Sequence, residues 1–446
     1  VPQTARQIAF QALKHIHRGA FADVALDRAL NQSDLPPRDR HLTTELVYGS
    51  LRRQRTLDAI VTHLATKPAA KQPPDLRLIL HLGLYQLRYL DHIPAAAAIN
   101  TTVDLAKQNG LSGLSGFVNG LLRQYDRAPD QALPTVTDPI AQIGQTHSFP
   151  DWIVAVYNNQ FGPSATANLC NWLNQPPAID LRINPLKTTI DAVIKQFNQA
   201  EINVEPLPYV THGLRLTQHV GAIQALPGFY EGHWTVQDAS AQLVAELLNP
   251  QPGETIVDAC AAPGGKTLHI AALMQDQGTV WAVDKTESRL KKIQQNIDRL
   301  GLTNIQIKAA DSRDIPEFVG LCDRVLVDAP CSGLGTLHRH ADARWRQTPE
   351  SVNELSQIQT AILAQAATWL KPHGTLVYAT CTLHPQENEA IVEQFLQTHP
   401  QWEIAQPTGQ IAALAHPQGW IKLLPSEHQM DGFFMVQFRP PALCPS

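Results

Sequence analysis

The chain has 446 residues, of which 43% are hydrophobic and 17% charged, and its formal net charge is −5. That length exceeds what one hydrophobic core supports and predicts about three domains of ~100–200 residues each. No run of roughly 18 apolar residues is present, so no membrane-spanning helix and no membrane partner are expected. The opening "VPQTARQIAF" lacks the apolar core of a secretion signal. Six cysteines without CxxC-type pairing argue against a disulfide framework or a metal site and fit a reducing cytoplasm.

The charge is unevenly spread. Residues 1–150 carry 16 Lys and Arg against 12 Asp and Glu, leaving 19 against 28 for the remainder. A basic front, including "SLRRQR" at 50–55, suits nucleic-acid contact better than the overall charge does. A basic run of this length is, taken alone, most often just a solvated helix face.

From Thr4 to about Tyr125 the pattern is helical. "ARQIAFQALKHIHR" puts Ile8, Ala9, Ala12, Leu13 and Ile16 on one face. "DLRLILHLGLYQLRYL" repeats the stripe more broadly. Breaks fall at "DLPPRDR", "KPAAKQPPD" and "DHIPA", where proline can begin a helix but not continue one. Residues 1–128 therefore read as an all-α domain, and the proline- and acid-rich 129–145 as a linker. Residues 146–234 mix short strands with a helix, as in a small α+β module. Residues 235–446 alternate strands and helices, as in a doubly wound α/β sheet.

In that last region "TIVDA" leads through "CAAPGGK" into a helix, placing glycines at a strand-to-helix turn that a ligand can approach closely. Later strand patterns run out at Asp284, Asp311, Asp328 and Cys381. The carboxyl ends of strands in an open parallel sheet line its ligand crevice. Several carboxylates there are poorly explained by packing, because burying an unpaired charge is costly. Asp284 follows Asp258 by 26 residues, near the interval at which a dinucleotide fold places its ribose-binding acid. A nucleoside cofactor is expected, with Asp311 set to accept a hydrogen bond from an exocyclic amine.

"DACAAPGGKT", "VDKTESRLKKIQQNIDRLG", "DAPCSGLGTLHRH" and "YATCTLHPQENE" together resemble the RNA 5-methylcytosine methyltransferases that use S-adenosylmethionine. "RDRHLTTELVYGSLRR", "LGLYQLRYLDHIPAAAAINTTVDLAK" and "GFVNGLLRQ" resemble the NusB-like RNA-binding domain. The combination is similar to the Sun/RsmB (Fmu) subfamily, which methylates small-subunit ribosomal RNA. The resemblance implies a multidomain fold: an all-α NusB-like head, a small α+β RNA-binding module and a Rossmann-like α/β methyltransferase domain. It implies a cytoplasmic protein, expected as a monomer, acting on a single-stranded or flipped-out cytidine.

Carried over residue by residue, the resemblance makes Cys260, Ala261, Ala262, Pro263, Gly264, Gly265 and Lys266 the S-adenosylmethionine loop. It makes Asp284 the ribose ligand, Asp311 the adenine contact and Asp328 the acid at both cofactor and base. Cys381 becomes the nucleophile and Cys331 its helper. After "DAPCS" the chain has "GLG", a departure from the bacterial ribosomal enzymes that bears on substrate preference. Transfer RNA as substrate, and a binding-only assembly factor with an inert α/β part, stay open at this level.

Three further readings concern single residues. Glu387 and Glu389 are expected as exposed first-turn residues of a helix. Arg339, Arg344, Trp345 and Arg346, with His338 and His340, read either as RNA contacts near the site or as a helix start with a buried tryptophan. Cys170, Cys322 and Cys444 are expected to be core or surface residues without chemistry.

Overall fold

A computed structural model describes residues 3–218 and 220–440. The chain divides into two compact units, one comprising residues through Pro176 together with Leu337–Arg346, the other Pro177–Thr336 and the rest. Among the described residues no helix is long and apolar enough to cross a membrane.

The first unit is all-α. Its helices start where the prolines dictate: Pro37–Arg52 and Pro74–Tyr89 have proline in their first turn, and Ala95–Gln108 follows Pro94. The helix Ala5–His17 is capped by Thr4, whose hydroxyl accepts from the Gln7 amide. Its predicted apolar face, Ile8, Ala9, Ala12, Leu13 and Ile16, is buried, and the last four share one core with Leu46 and Leu80. Gly49 lets two helices approach, since a Cβ there would lie 2.0 Å from the Tyr85 ring. The stretch read as a linker includes most of a further helix, Pro139–His147, and the next helix, Asp151–Trp172, also belongs to this unit. Residues 146–176, read as the start of the small module, thus group with the first unit.

Ten residues from the second half of the chain, Leu337–Arg346, are part of this first unit. Arg344 is completely buried. Its guanidinium donates to the carbonyls of Arg52, Ser148, Leu173 and Leu337 and to Asn174 Oδ1, and it stacks 4.1 Å from the Phe149 ring centroid. Trp345 Nε1 donates to the Leu51 carbonyl at 2.8 Å, and His338 is buried edge-on to Trp172. Of the two readings of this segment, the packed one is what the structure shows, and Arg344 and Trp345 are spent on holding helices together. His340 is exposed.

The second unit contains two sheets. The small one has strands β1 (Ile179–Ile183), β2 (Val204–Pro206), β3 (Gly213–Leu216) and β4 (Trp234–Val236), antiparallel in the order β2-β3-β1-β4. The helix Ile190–Gln199 packs Val193 and Phe197 on Trp234 of this sheet. The large sheet contains β5 (Thr255–Asp258), β6 (Thr279–Asp284), β7 (Ile305–Ala309), β8 (Cys322–Asp328), β9 (Leu370–Thr380), β10 (Glu403–Ile404), β11 (Ile421–Leu423) and β12 (Phe433–Arg439). Its order is β10-β12-β9-β8-β5-β6-β7, with β11 against β12. The strands β7-β6-β5-β8-β9 run parallel, and β12 closes the β9 edge antiparallel. Strand order reverses beside β5, the switch point at which such sheets open a crevice. All-α head, small α+β module and α/β domain are thus all present, as the sequence predicts.

Candidate active site

The parallel strands end around a cleft of about 540 Å³ lined by Cys260, Asp284, Asp311, Asp328, Cys331 and Cys381, with Ala262 and Lys266. Residues from five regions up to 121 positions apart are thereby gathered at one sheet edge. Ala261, Pro263, Gly264 and Gly265 shape the turn after β5 without lining the cleft. Gly264 takes φ +105°, open to glycine, and a Cβ on it would sit 3.0 Å from Ile293. The helix Gly265–Leu273 begins directly behind it, with no side chain capping its N-terminus.

Each acid is held differently. Asp284 is nearly buried and accepts from the Thr286 amide at 2.8 Å and the Ala262 amide at 3.3 Å, which ties β6 to the glycine turn. Asp311 is gripped by both nitrogens of Arg313, at 2.9 and 2.6 Å, with Lys285 at 3.3 Å. The Arg313 hydrogen bonds hold its carboxyl well below the usual range. Asp328 accepts 2.7 Å from Lys266 Nζ, which also lies 5.0 Å from the Phe433 ring centroid. Burial opposes the Lys266 ammonium, but the charge and hydrogen bond of Asp328, with the Cys381 and Asp258 charges, together raise its pKa. Asp258, at the end of β5 and absent from the predicted set, accepts from Thr267 Oγ1, and burial pushes its carboxyl up to about 7. The strand-end signal that marked the other acids marks Asp258 equally.

The two cysteines meet with their Sγ atoms 3.4 Å apart. The hydrogen bond to Cys381, burial, and the charges of Cys381 and Glu387 push the Cys331 thiol well up. Cys260 is also a thiol raised by burial, with Asp258, Asp328 and Asp284 adding to it. The "GLG" after Ser332 has a steric reason. Gly335 donates to the Cys381 carbonyl at 3.0 Å and accepts from the Gly432 amide at 2.9 Å, and a Cβ on Gly335 would lie 2.0 Å from Gly432 O. Only glycine permits this crossing, which sets the Cys331 loop against the end of β9.

Two expectations are corrected. Glu387 is not an exposed first-turn residue but completely buried, accepting from Ser332 and Gln359. Glu389 is half-buried and paired with Lys422 Nζ at 2.7 Å. Nothing local in "HPQENE" reveals this, because the donors come from other segments. Cys170 and Cys322 are buried core residues, as read, and Cys444 lies outside the described residues.

Comparison with known proteins bears on the whole chain. Residues 245–439 match the family model described as 16S rRNA methyltransferase RsmB/F, residues 3–127 the NusB family and residues 149–222 the ferredoxin-like domain of RsmF/B-like methyltransferases. The chain is 50% identical over 444 residues to the probable ribosomal RNA small subunit methyltransferase B of Synechocystis sp., covering 98% of this chain and 99% of that one. It is 36% identical over 408 residues to the ribosomal RNA small subunit methyltransferase B of Yersinia pseudotuberculosis, covering 91% and 92%. The crystal structure of PH0851 superposes with a TM-score of 0.82 at 25% identity, covering 98% and 99%.

Proposed function

Since the chain belongs to the RsmB/F family of 16S rRNA methyltransferases, we propose that it methylates C5 of a cytidine in small-subunit ribosomal RNA, using S-adenosylmethionine and a covalent cysteine–cytosine intermediate. The observation that carries this reading is the pair Cys331–Cys381 at 3.4 Å beside the Lys266–Asp328 ion pair in one cleft. The cleft suits a nucleoside sulfonium: a glycine turn gives backbone access, Asp284 is set for ribose hydroxyls, Asp311 for the adenine amine, and Asp328 adds negative charge. When bound, S-adenosylmethionine supplies an electrophilic methyl group.

Cytosine C5 is too weak a nucleophile until something adds at C6. Cys381, as thiolate, forms an S–C6 bond, and the electron pair passes to C5 while N3 takes up a proton. Asp328, backed by the Lys266 ammonium, hydrogen-bonds the N3 edge and relays that proton. C5, so activated, would take the methyl group that bound S-adenosylmethionine would supply, the S–CH3 electron pair staying on a neutral thioether that leaves. In release, Cys331 gives its S–H proton to the departing Cys381 sulfur and receives the C5 proton, while N3 returns its own to the Asp328–Lys266 pair. The net product is one proton, left on Cys381. Dividing one hard step into easier ones is the gain of covalent catalysis.

The target base must leave its stack to reach two sulfurs at a sheet edge, at a cost of roughly a few kcal/mol. The positively charged front of the chain is the source of compensating RNA contacts. The test is unequal behaviour of the two cysteines. With ribosomal RNA and S-adenosylmethionine, Cys331→Ala should accumulate a covalent protein–RNA complex on a denaturing gel and Cys381→Ala should form none. Adduct in the Cys381 variant would mean that nucleophile and helper are exchanged; methylation intact in both would end the thiolate mechanism.

A further inference from the structure

Glu387 has no part in the scheme above, yet it is a completely buried carboxylate close behind the two cysteines. Its Oε1 accepts from the Ser332 amide at 2.8 Å and from Gln359 Nε2 at 3.0 Å, and its Oε2 faces the Ser332 hydroxyl. Gln359 also donates to the Pro330 carbonyl at 2.9 Å, and Tyr378 OH to the Glu387 carbonyl at 2.6 Å. The residues on both sides of Cys331 are thus tied to the turn after Cys381.

A neutral residue could make this joint. Glutamine would accept the same two N–H groups at its oxygen. Its amide could donate to Ser332 Oγ, which would turn its own hydrogen to Thr382 Oγ1 at 2.8 Å. What glutamine would lack is the charge. Burial pushes the Glu387 carboxyl up, and the hydrogen bonds of Ser332, Gln359 and Thr382 counter it; keeping a carboxylate there with only neutral donors is costly, so the charge calls for a use, and its neighbour with chemistry is Cys331.

We propose that Glu387 is a positioning residue whose buried negative charge keeps Cys331 in the thiol form, so that Cys381 alone acts as the thiolate. This rests on Cys381 being the nucleophile. The release step needs a proton on Cys331, and a second thiolate 3.4 Å from the first would compete for C6 and repel it. The titratable groups acting with Glu387 on this pocket are Cys381 at the end of β9, Tyr378 within it, Cys260 and Asp328, while the Gly333 amide acts on Cys331 in the opposite sense.

The test uses full-length protein carrying Cys381→Ala, in which burial and the Glu387 charge are the influences left holding Cys331 up. Alkylation of Cys331 by the neutral reagent iodoacetamide is followed across pH by peptide mass spectrometry. Adding Glu387→Gln should accelerate alkylation at neutral pH by roughly threefold or more. Superimposed profiles in a variant of unchanged Tm would overturn the proposal. Glu387→Asp loosens the joint but keeps a carboxylate there. Its alkylation rate should stay near that of the Cys381→Ala parent, and a rise of roughly threefold or more would sink the idea even where the glutamine variant does not fold. The nucleophile assignment is judged separately: RNA adduct formed by Cys381→Ala removes that premise whatever Cys331 does.

Discussion

Lys266, whose side chain is 13% exposed, and Arg344, completely buried, are both cations drawn in from solvent, and the difference between them separates a working charge from a structural one. Lys266 faces one carboxylate, Asp328, which lies at a cleft and is 27% exposed. That pair can exchange partners with a ligand at modest cost. Arg344 spends its donors on four carbonyls and an amide oxygen within a helical core, and burial pushes its pKa down to about 9. None of those acceptors can leave without unpacking a helix end. Burial alone does not mark function; the partner's freedom to move does.

The sharpest way to break this comparison is to replace both cations with methionine. Arg344→Met strands several buried carbonyls and should destabilise the first unit by about 3–5 kcal/mol, with lysine giving little rescue because it lacks the planar fork. Thermal or denaturant unfolding reads this directly, and an unchanged midpoint would return Arg344 to the list of RNA contacts. Lys266→Met should do the reverse. Methionine fills the space against Phe433, so Tm changes little, while methylation falls by about 10²–10⁴-fold. Equal losses of stability in the two variants would erase the distinction.

Asp258 tests a buried charge of the other sign. Its folded pKa of about 7 lies above the ordinary carboxylate value, so the stability it contributes is complete below the unfolded pKa near ~4 and is lost as pH rises through 7. Asp258→Asn should therefore be more stable than the parent above neutrality, on the order of 2–3 kcal/mol, and the gap should close toward pH ~4. Parallel stability curves would show that Asp258 does not titrate in this window. The smallest effect is expected at Asp284. Asp284→Ala should weaken S-adenosylmethionine binding about tenfold or more by calorimetry, with the fold kept; unchanged affinity would remove it from the ribose site.

Deleting the front helices is not a clean test of RNA binding. Leu337–Arg346 belongs to the first unit, where Trp345 and Arg344 bond carbonyls of Leu51 and Arg52. Removing residues 1–125 would strip this segment of its packing a few residues after Cys331.

The sequence by itself determined the architecture and most of the cleft. Helix starts at prolines, period-3.6 faces and strands ending in Asp284, Asp328 and Cys381 are local signals, written in neighbouring residues. So was the glycine turn, whose φ depends on the residue itself. Only the tertiary structure decided Glu387, Arg344 and the limits of the first unit. Apart from Leu337, seven positions from Arg344, and Thr382, close to Glu387 in the chain, their partners lie 28 to 292 positions away, and a carboxylate or guanidinium reads as solvated until those donors and acceptors close around it. The same holds for Gly335, whose need to be glycine arises from Gly432, nearly one hundred residues on.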